Sequence, residues 1–174
     1  MNFYARGFNL YLLAALLLCG CATKDKDKNA FLGTLRVHIE SSGTIPDGGQ
    51  KIKLLRANPV EVTVDSESIL SEANILAVTL VNTPGGFAIK IRFDETGSWT
   101  LEQFSAANPG RHFVIFGQWD KNPGDGRWLA APLITRRISD GTLVFTPDCS
   151  HEEARKLMIS VNLAAKKIHT GSLK

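Results

Sequence analysis

Val78-Thr-Leu-Val81, then Thr83-Pro-Gly-Gly86, then Phe87-Ala-Ile-Lys-Ile-Arg-Phe93 read as two alternating runs flanking a reversal. Apolar residues at every second position mark half-buried strands, and Pro-Gly-Gly between them supplies turn chemistry. A hairpin here places antiparallel pairing at the centre of the chain. Working upstream, Leu35-Arg-Val-His-Ile-Glu40 alternates in the same way. Pro46-Asp-Gly-Gly49 is a turn, and Lys51-Ile-Lys-Leu-Leu55 and Pro59-Val-Glu-Val-Thr-Val64 are two further strands, with Pro59 acceptable at a strand start. Ser71 caps a short helix over Glu72 to Leu76.

Downstream, the pattern changes period. Gly97-Ser98 opens a helix with Ser98 as N-cap and Glu102 inside its first turns. Leu101 and Phe104, with Ala107 and Trp99, supply its buried stripe, and Asn108-Pro109-Gly110 stops it. His112 to Gln118 is a strongly apolar, central strand; Trp128 to Ile134 and Leu143 to Phe145 are two more. Ser150 followed by Glu153 is a capping box, and Ala154, Leu157, Met158, Val161 and Ala165 form a helical stripe behind it. Lys166 to Lys174 is a polar tail. Interleaved hairpins and helices predict an α+β sandwich: a mixed, mainly antiparallel sheet packed against two main helices.

The N-terminal region carries an address. Arg6 precedes an apolar run from Leu10 to Leu18, and Leu18-Cys19-Gly20-Cys21 follows. The run is about half the roughly 20 residues that a spanning helix needs. Cys21 has Gly20 before it and Leu18 three residues upstream, which fits a bacterial lipidation signal; Cys19, preceded by Leu18, does not. Residues 1–20 are therefore expected to be a lipoprotein signal peptide, and 21–30 a lipidated terminus with a flexible tether, Ala22 to Ala30 being polar and alternating in charge. Residues 31–166 are expected to form a single domain, and 167–174 a frayed tail. Loss of Arg6 with the signal takes the net charge from +3 to +2, and no basic face of the kind a nucleic-acid binder needs is visible. Cys149 is then the remaining thiol, expected to pack as a small apolar residue.

The search for chemistry yields little. His151-Glu152-Glu153 lacks a second histidine four residues on, so the helical zinc pair is absent, and no phosphate-cradling loop or Gly-x-Ser-x-Gly is found. His38, His112, His151 and His169 are scattered over different elements, and His112 on an apolar strand reads as a packing residue. Asp120-x-Asn122-x-x-Asp125 lacks the alternate oxygens and closing Glu of a calcium loop. Arg127-Trp128 reads as a cation–π surface site or, more simply, as Trp128 anchoring the start of its strand. Arg136-Arg137 is an ordinary basic pair at a strand end. No metal, cofactor or catalytic residue is expected, and the chain is not expected to be an enzyme.

A longer pattern carries more. Gly85-Gly86 before Phe87 to Phe93, Gly97-x-x-x-Leu101-x-x-Phe104-Ser105 and Asn108-x-Gly110-Arg111 come first. His112-Phe-Val-Ile-Phe116, Ala131-Pro132-x-Ile134, Ile138-x-x-Gly141, Phe145-Thr146 and Glu152-Glu153-Ala154 follow in order. From about Pro59 to Asn162 this resembles the head subdomain of the first large periplasmic domain in SecD-type preprotein translocase subunits. The resemblance implies a ferredoxin-like α+β head that contacts exported polypeptide outside the membrane. The chain departs from the family in two ways: the transmembrane helices are missing, and the Asp120 to Arg127 loop replaces a shorter reversal.

The expected function is that of a membrane-anchored, non-catalytic envelope lipoprotein whose head-like domain binds polypeptide in export or folding. Phe87, Trp99, Trp128 and Arg127 are its candidate contacts, using an exposed strand edge and an apolar groove between sheet and helices. The alternative is a structural or assembly lipoprotein binding one folded envelope partner, with the fold reused for interaction only. Expected partners are the membrane, through lipid on Cys21, and an exported polypeptide or a translocon or envelope protein, with no nucleic acid. Ala22, not aspartate, follows Cys21, which points to the outer membrane with the domain facing the periplasm.

Overall fold

A computed structural model describes residues 30–41, 49–55, 57 and 59–171. Cys21 and the signal-like run therefore lie outside the described residues. Among these, three antiparallel sheets and two main helices make an α+β fold, as the interleaved pattern predicts. The elements in chain order are β1 (Thr34–Ile39), β2 (Gly49–Leu54), β3 (Val60–Asp65), β4 (Ile75–Thr83), β5 (Gly86–Phe93), α1 (Glu95–Ala107), β6 (Phe113–Gln118), β7 (Gly126–Ala130), β8 (Thr142–Phe145) and α2 (His151–His169). The sheets run β1-β6-β7, β2-β3 and β4-β5-β8.

The hairpin forms where the alternation puts it, with Val78 opposite Ile91, Leu80 opposite Ile89 and Thr83 opposite Gly86. Proline fixes φ at the first central position of its turn, and Gly85 takes φ +93° at the second, as a type II turn requires. Ile89, Ile91 and Phe93 point inward and are fully buried, while Lys90 and Arg92 between them are exposed.

β6 explains why Phe113-Val-Ile-Phe116 shows no alternation. Its two faces are both covered, so both must be apolar. Phe113 and Ile115 enter the main core with Leu35, Val37, Ile39, Leu129 and the stripe of α2. Val114 enters a second, smaller core, closed by Ile52, Leu54, Val62 and Val64 of the β2–β3 hairpin. His38 is buried on that second face, its ring bonded to the Asp65 carbonyl at 3.0 Å and lying edge-on to Trp128. The β2–β3 hairpin thus acts as a third layer behind the β1-β6-β7 sheet.

α2 begins with the capping box that the sequence predicts. Ser150 N–H donates to Glu153 Oε2 at 2.7 Å, and Glu153 N–H donates to Ser150 Oγ at 3.2 Å. Ala154, Leu157, Val161, Ala164 and Ala165 are buried, and Met158 packs at the edge of the core. The helix continues through His169, three residues beyond the expected domain end at 166, because the His169 ring reaches the Ile75 carbonyl at 3.0 Å. Cys149, just before it, is half-buried against the main core.

Several local expectations are corrected: the helix expected over Glu72 to Leu76 is a single 3-10 turn, Glu72–Asn74, with Leu76 already in β4, and Ala107 is exposed. α1 is capped by Asp94, whose Oδ1 accepts from Gly97 N–H at 2.7 Å, so Ser98 lies inside the helix. Gly97 is buried in the first turn because a Cβ there would sit 2.9 Å from Asn74 Cβ and 3.0 Å from Phe93 Cβ. Trp99 is 69% exposed. The buried stripe of α1 runs Gly97, Leu101, Ser105, and a residue two positions along from Gly97 faces the opposite side of the helix. The Trp128 to Ile134 strand starts earlier, at Gly126, and its regular pairing ends at Ala130. Pro132 has no N–H to continue a ladder, so the chain holds to β6 by single bonds: Phe113 N–H to the Pro132 carbonyl at 3.0 Å and Ile134 N–H to the Arg111 carbonyl at 2.8 Å.

Candidate functional site

The four candidate contacts do not converge on one surface. Phe87 on β5 is half-buried against the main core and stands edge-on to His151, with centroids 5.2 Å apart. Trp128 on β7 packs against the second core, edge-on to His38 and to Phe116 at 5.1 and 5.5 Å. It anchors its strand, the simpler of the two roles that its position allowed. Trp99 stands out from α1 into solvent.

Arg127 is a staple between β7 and the start of α2. Its Nη2 donates to the Asp148 carbonyl at 3.1 Å and to Glu153 Oε2 at 3.0 Å, and its guanidinium lies 5.0 Å from the centre of the Trp119 ring. Partial burial pushes the Glu153 carboxyl up, but the Ser150 and Arg127 hydrogen bonds together outweigh it and hold the group below its ordinary value of 4.5. A carboxyl whose folded pKa is depressed stabilises the fold above the unfolded value and loses that contribution as pH falls through the folded one. The urea midpoint of the wild type is therefore expected to drop on acidification, whereas Glu153→Gln starts lower at neutral pH and drops less. Parallel curves for the two proteins would show that this carboxylate contributes nothing to acid sensitivity.

A better-formed site lies beside the second core. Leu54, Leu55, Val60, Val62, Ala131 and Pro132 line an apolar recess of about 430 Å³, with His112 at its rim. Val60 is 49% exposed and Leu55 44% exposed. Leu55 has φ +64°, the one positive φ at a non-glycine among the described residues. Leucine in that region is strained by roughly 1–2 kcal/mol, and such strain collects at ligand clamps and switch points. Pro132 also borders a neighbouring recess, where Leu133 and Val144 are each 51% exposed. His112 is fixed by Glu40, whose Oε2 accepts from the His112 backbone N–H at 3.0 Å and bonds its ring Nδ1 at 2.7 Å. Its role is to pin the end of β1 to the start of β6.

The recess offers apolar contact, and no group of three or more metal-capable side chains exists among the described residues. Sequence alternation missed it because Leu55 looks like an ordinary strand residue and meets Pro132 only in the folded chain. The signal available was the proline itself, which breaks an otherwise apolar run and leaves its neighbours free of the ladder.

The family described as SecDF, P1 head subdomain, matches residues 50–165. The chain belongs to the SecDF P1 head family. The match spans β2 through most of α2 and leaves β1 outside it. Two solved structures have a similar fold. One, SecDF in a super-membrane-facing form, aligns with a TM-score of 0.54 at 19% identity over 75% of this chain and 19% of that one. The other, described as SecDF, a membrane component that enhances protein export, aligns at 0.54 and 20% identity over 84% of this chain and 71% of that one. No curated protein sequence matches the chain. This SecDF P1 head thus corresponds to about a fifth of the first structure's chain, and among its described residues no helix is long and apolar enough to cross a membrane.

Proposed function

We propose that this SecDF P1 head is a non-catalytic polypeptide-binding module of the bacterial envelope, working in protein export and facing the periplasm. The observation that carries the proposal is the apolar recess, where Leu55 is held in a strained conformation and Val60 is left half-exposed beside Pro132. An extended chain fits such a recess by seating alternate apolar side chains while its backbone stays solvated or pairs with a strand. Family membership supports the setting, as does the description of a structural neighbour as a component that enhances protein export. Anchoring through lipid on Cys21, with Ala22 directing the protein to the outer membrane, completes the proposal and rests on the sequence signal alone.

The test is binding of a reduced, carboxymethylated and hence unfolded polypeptide, labelled with a fluorophore. Saturable binding is expected, and Val60→Asp should weaken it about tenfold by placing a charge in the apolar wall, a loss of about 1.4 kcal/mol. Val60 is half-exposed, so the variant should melt with the wild type. Equal affinities for the wild type and Val60→Asp would exclude the recess as the binding site.

A further inference from the structure

β4 lies at the edge of the β4-β5-β8 sheet and reads Ile75-Leu-Ala-Val-Thr-Leu-Val-Asn-Thr83, nine residues without a charge, a proline or a glycine. Proteins commonly protect edges of this composition, because unpaired N–H and C=O groups beside β-prone side chains recruit other strands. Half of this edge is protected. The Asn162 side chain on α2 accepts from Val78 N–H at 2.8 Å and donates to the Val78 carbonyl at 2.9 Å. His169 covers the Ile75 carbonyl.

The other half is open. Both backbone groups of Val78 point away from β5, so the Val78–Ile91 pair exchanges no ladder bonds. In an antiparallel ladder such pairs alternate, which gives Leu80 (opposite Ile89) and Asn82 (opposite Phe87) the same outward orientation. Among the described residues neither Leu80 nor Asn82 has a partner for its outward N–H or C=O. Asn82 is exposed, and Val81 beside it is 38% exposed.

Cations lie beside the Ala77–Thr79 stretch, next to the open half. Lys90 and Arg92 stand exposed on the neighbouring strand, opposite Thr79 and Ala77. Lys166 borders the recess beside Val78 and Thr79. Arg155 lies two turns before Asn162, on nearly the same face of α2. None of these four forms an ion pair among the described residues.

We propose that the Leu80–Asn82 edge of β4 is a docking site for one extended strand of another protein, with a β-branched centre and acidic flanks. Leu80 and Asn82 each donate one backbone hydrogen bond and accept one; Val81 and Thr79 pack against alternate side chains; Lys90, Arg92, Arg155 and Lys166 take the flanking carboxylates. A second copy of this chain is disfavoured as occupant, because pairing β4 with β4 brings the same four cations together across the seam. The surface is separate from the Val60 recess and does not depend on its role.

The experiment uses the full chain in detergent and a labelled, end-blocked seven-residue peptide of alternating threonine and valine with aspartate at both ends. Saturable binding is expected, with amide exchange slowed at Leu80 and Asn82. Replacing the aspartates by lysine should weaken binding at least tenfold. Asn82→Pro removes an N–H that bonds nothing in the free protein, so the variant should stay folded and lose binding at least tenfold. Val60→Asp should leave peptide binding unchanged. The proposal is overturned if the wild type shows no saturable binding, or if Asn82→Pro binds as well as wild type. It is also overturned if the wild type sediments as a dimer that Asn82→Pro dissociates, which would make a second copy the occupant.

Discussion

Leu157→Ala is expected to cost the domain about 3–5 kcal/mol, the upper part of the range for deleting a fully buried leucine. For a domain of this size that corresponds to a fall in Tm of roughly 10 °C or more. Leu157 is 0% exposed at the middle of the α2 stripe. Its two methyl groups lie 3.1 and 3.3 Å from where a Cβ on Gly117 would stand, directly over the backbone of β6. Alanine would remove the side chain that joins α2 to the central strand, and close-packed neighbours can fill only part of the space. The same contact predicts a coupling. Gly117→Ala alone should destabilise, since its new methyl would meet Leu129 Cδ1 at 2.7 Å as well as Leu157. In the Leu157→Ala background one of those clashes disappears, so the double variant should be more stable than the sum of the two losses by at least about 0.5 kcal/mol. Ile159→Ala is the control: it is 54% exposed, and its midpoint should move by no more than about 0.5 kcal/mol. A Leu157→Ala loss as small as that of Ile159→Ala would mean that α2 is not the lid of this core.

What was legible in the sequence was local, and what was not depended on distant partners. The Thr83 to Gly86 reversal, the Ser150–Glu153 box and the α2 stripe each contain their own cause within a few residues, and each forms as expected. At the start of α1, Asp94 and Ser98 are both sound caps by residue type. The choice between them is made by Gly97, which must lie close to Asn74 and Phe93. Arg127 looks like a surface residue until Asp148 and Glu153, 21 and 26 residues away, supply its acceptors. The apolar run of β6 announced a buried strand, but the hairpin that covers its second face arrives from residues 49–65. The recess has the same origin, since Leu55 and Pro132 meet only in the folded chain. The ordered motif from Gly85 to Ala154 identifies the SecDF head well but carries no information on a binding surface, because Trp99, Trp128, Phe87 and Arg127 stand out by residue type alone and the fold sends them to different places.

Replacing Asn162 should show how much the fold depends on sealing β4. Asn162→Leu keeps the approximate shape of the side chain and removes both of its bonds to Val78. A net loss of about 2–3 kcal/mol is expected, since each backbone group left without a partner costs about 1–3 kcal/mol, lessened where water can reach it. A lower urea midpoint and faster exchange at the Val78 amide are the measurements. Asn162→Ala should lose a similar amount, because the contact is made by the amide and not by packing. Both variants should also scatter more light on heating at equal fraction unfolded, because Val78 would then join Leu80 and Asn82 in one unbroken open edge able to recruit the unfolded chains present, which do not carry the cation cluster of a folded copy. Adding Val81→Lys to either variant should reverse the scattering without restoring the midpoint, since a charge on the exposed face opposes strand addition but makes no bond to Val78. If Asn162→Leu unfolded at the wild-type midpoint and stayed clear on heating, the Asn162 amide would be a bystander. The boundary between the closed and open halves of the β4 edge would then have to be set by something other than that side chain.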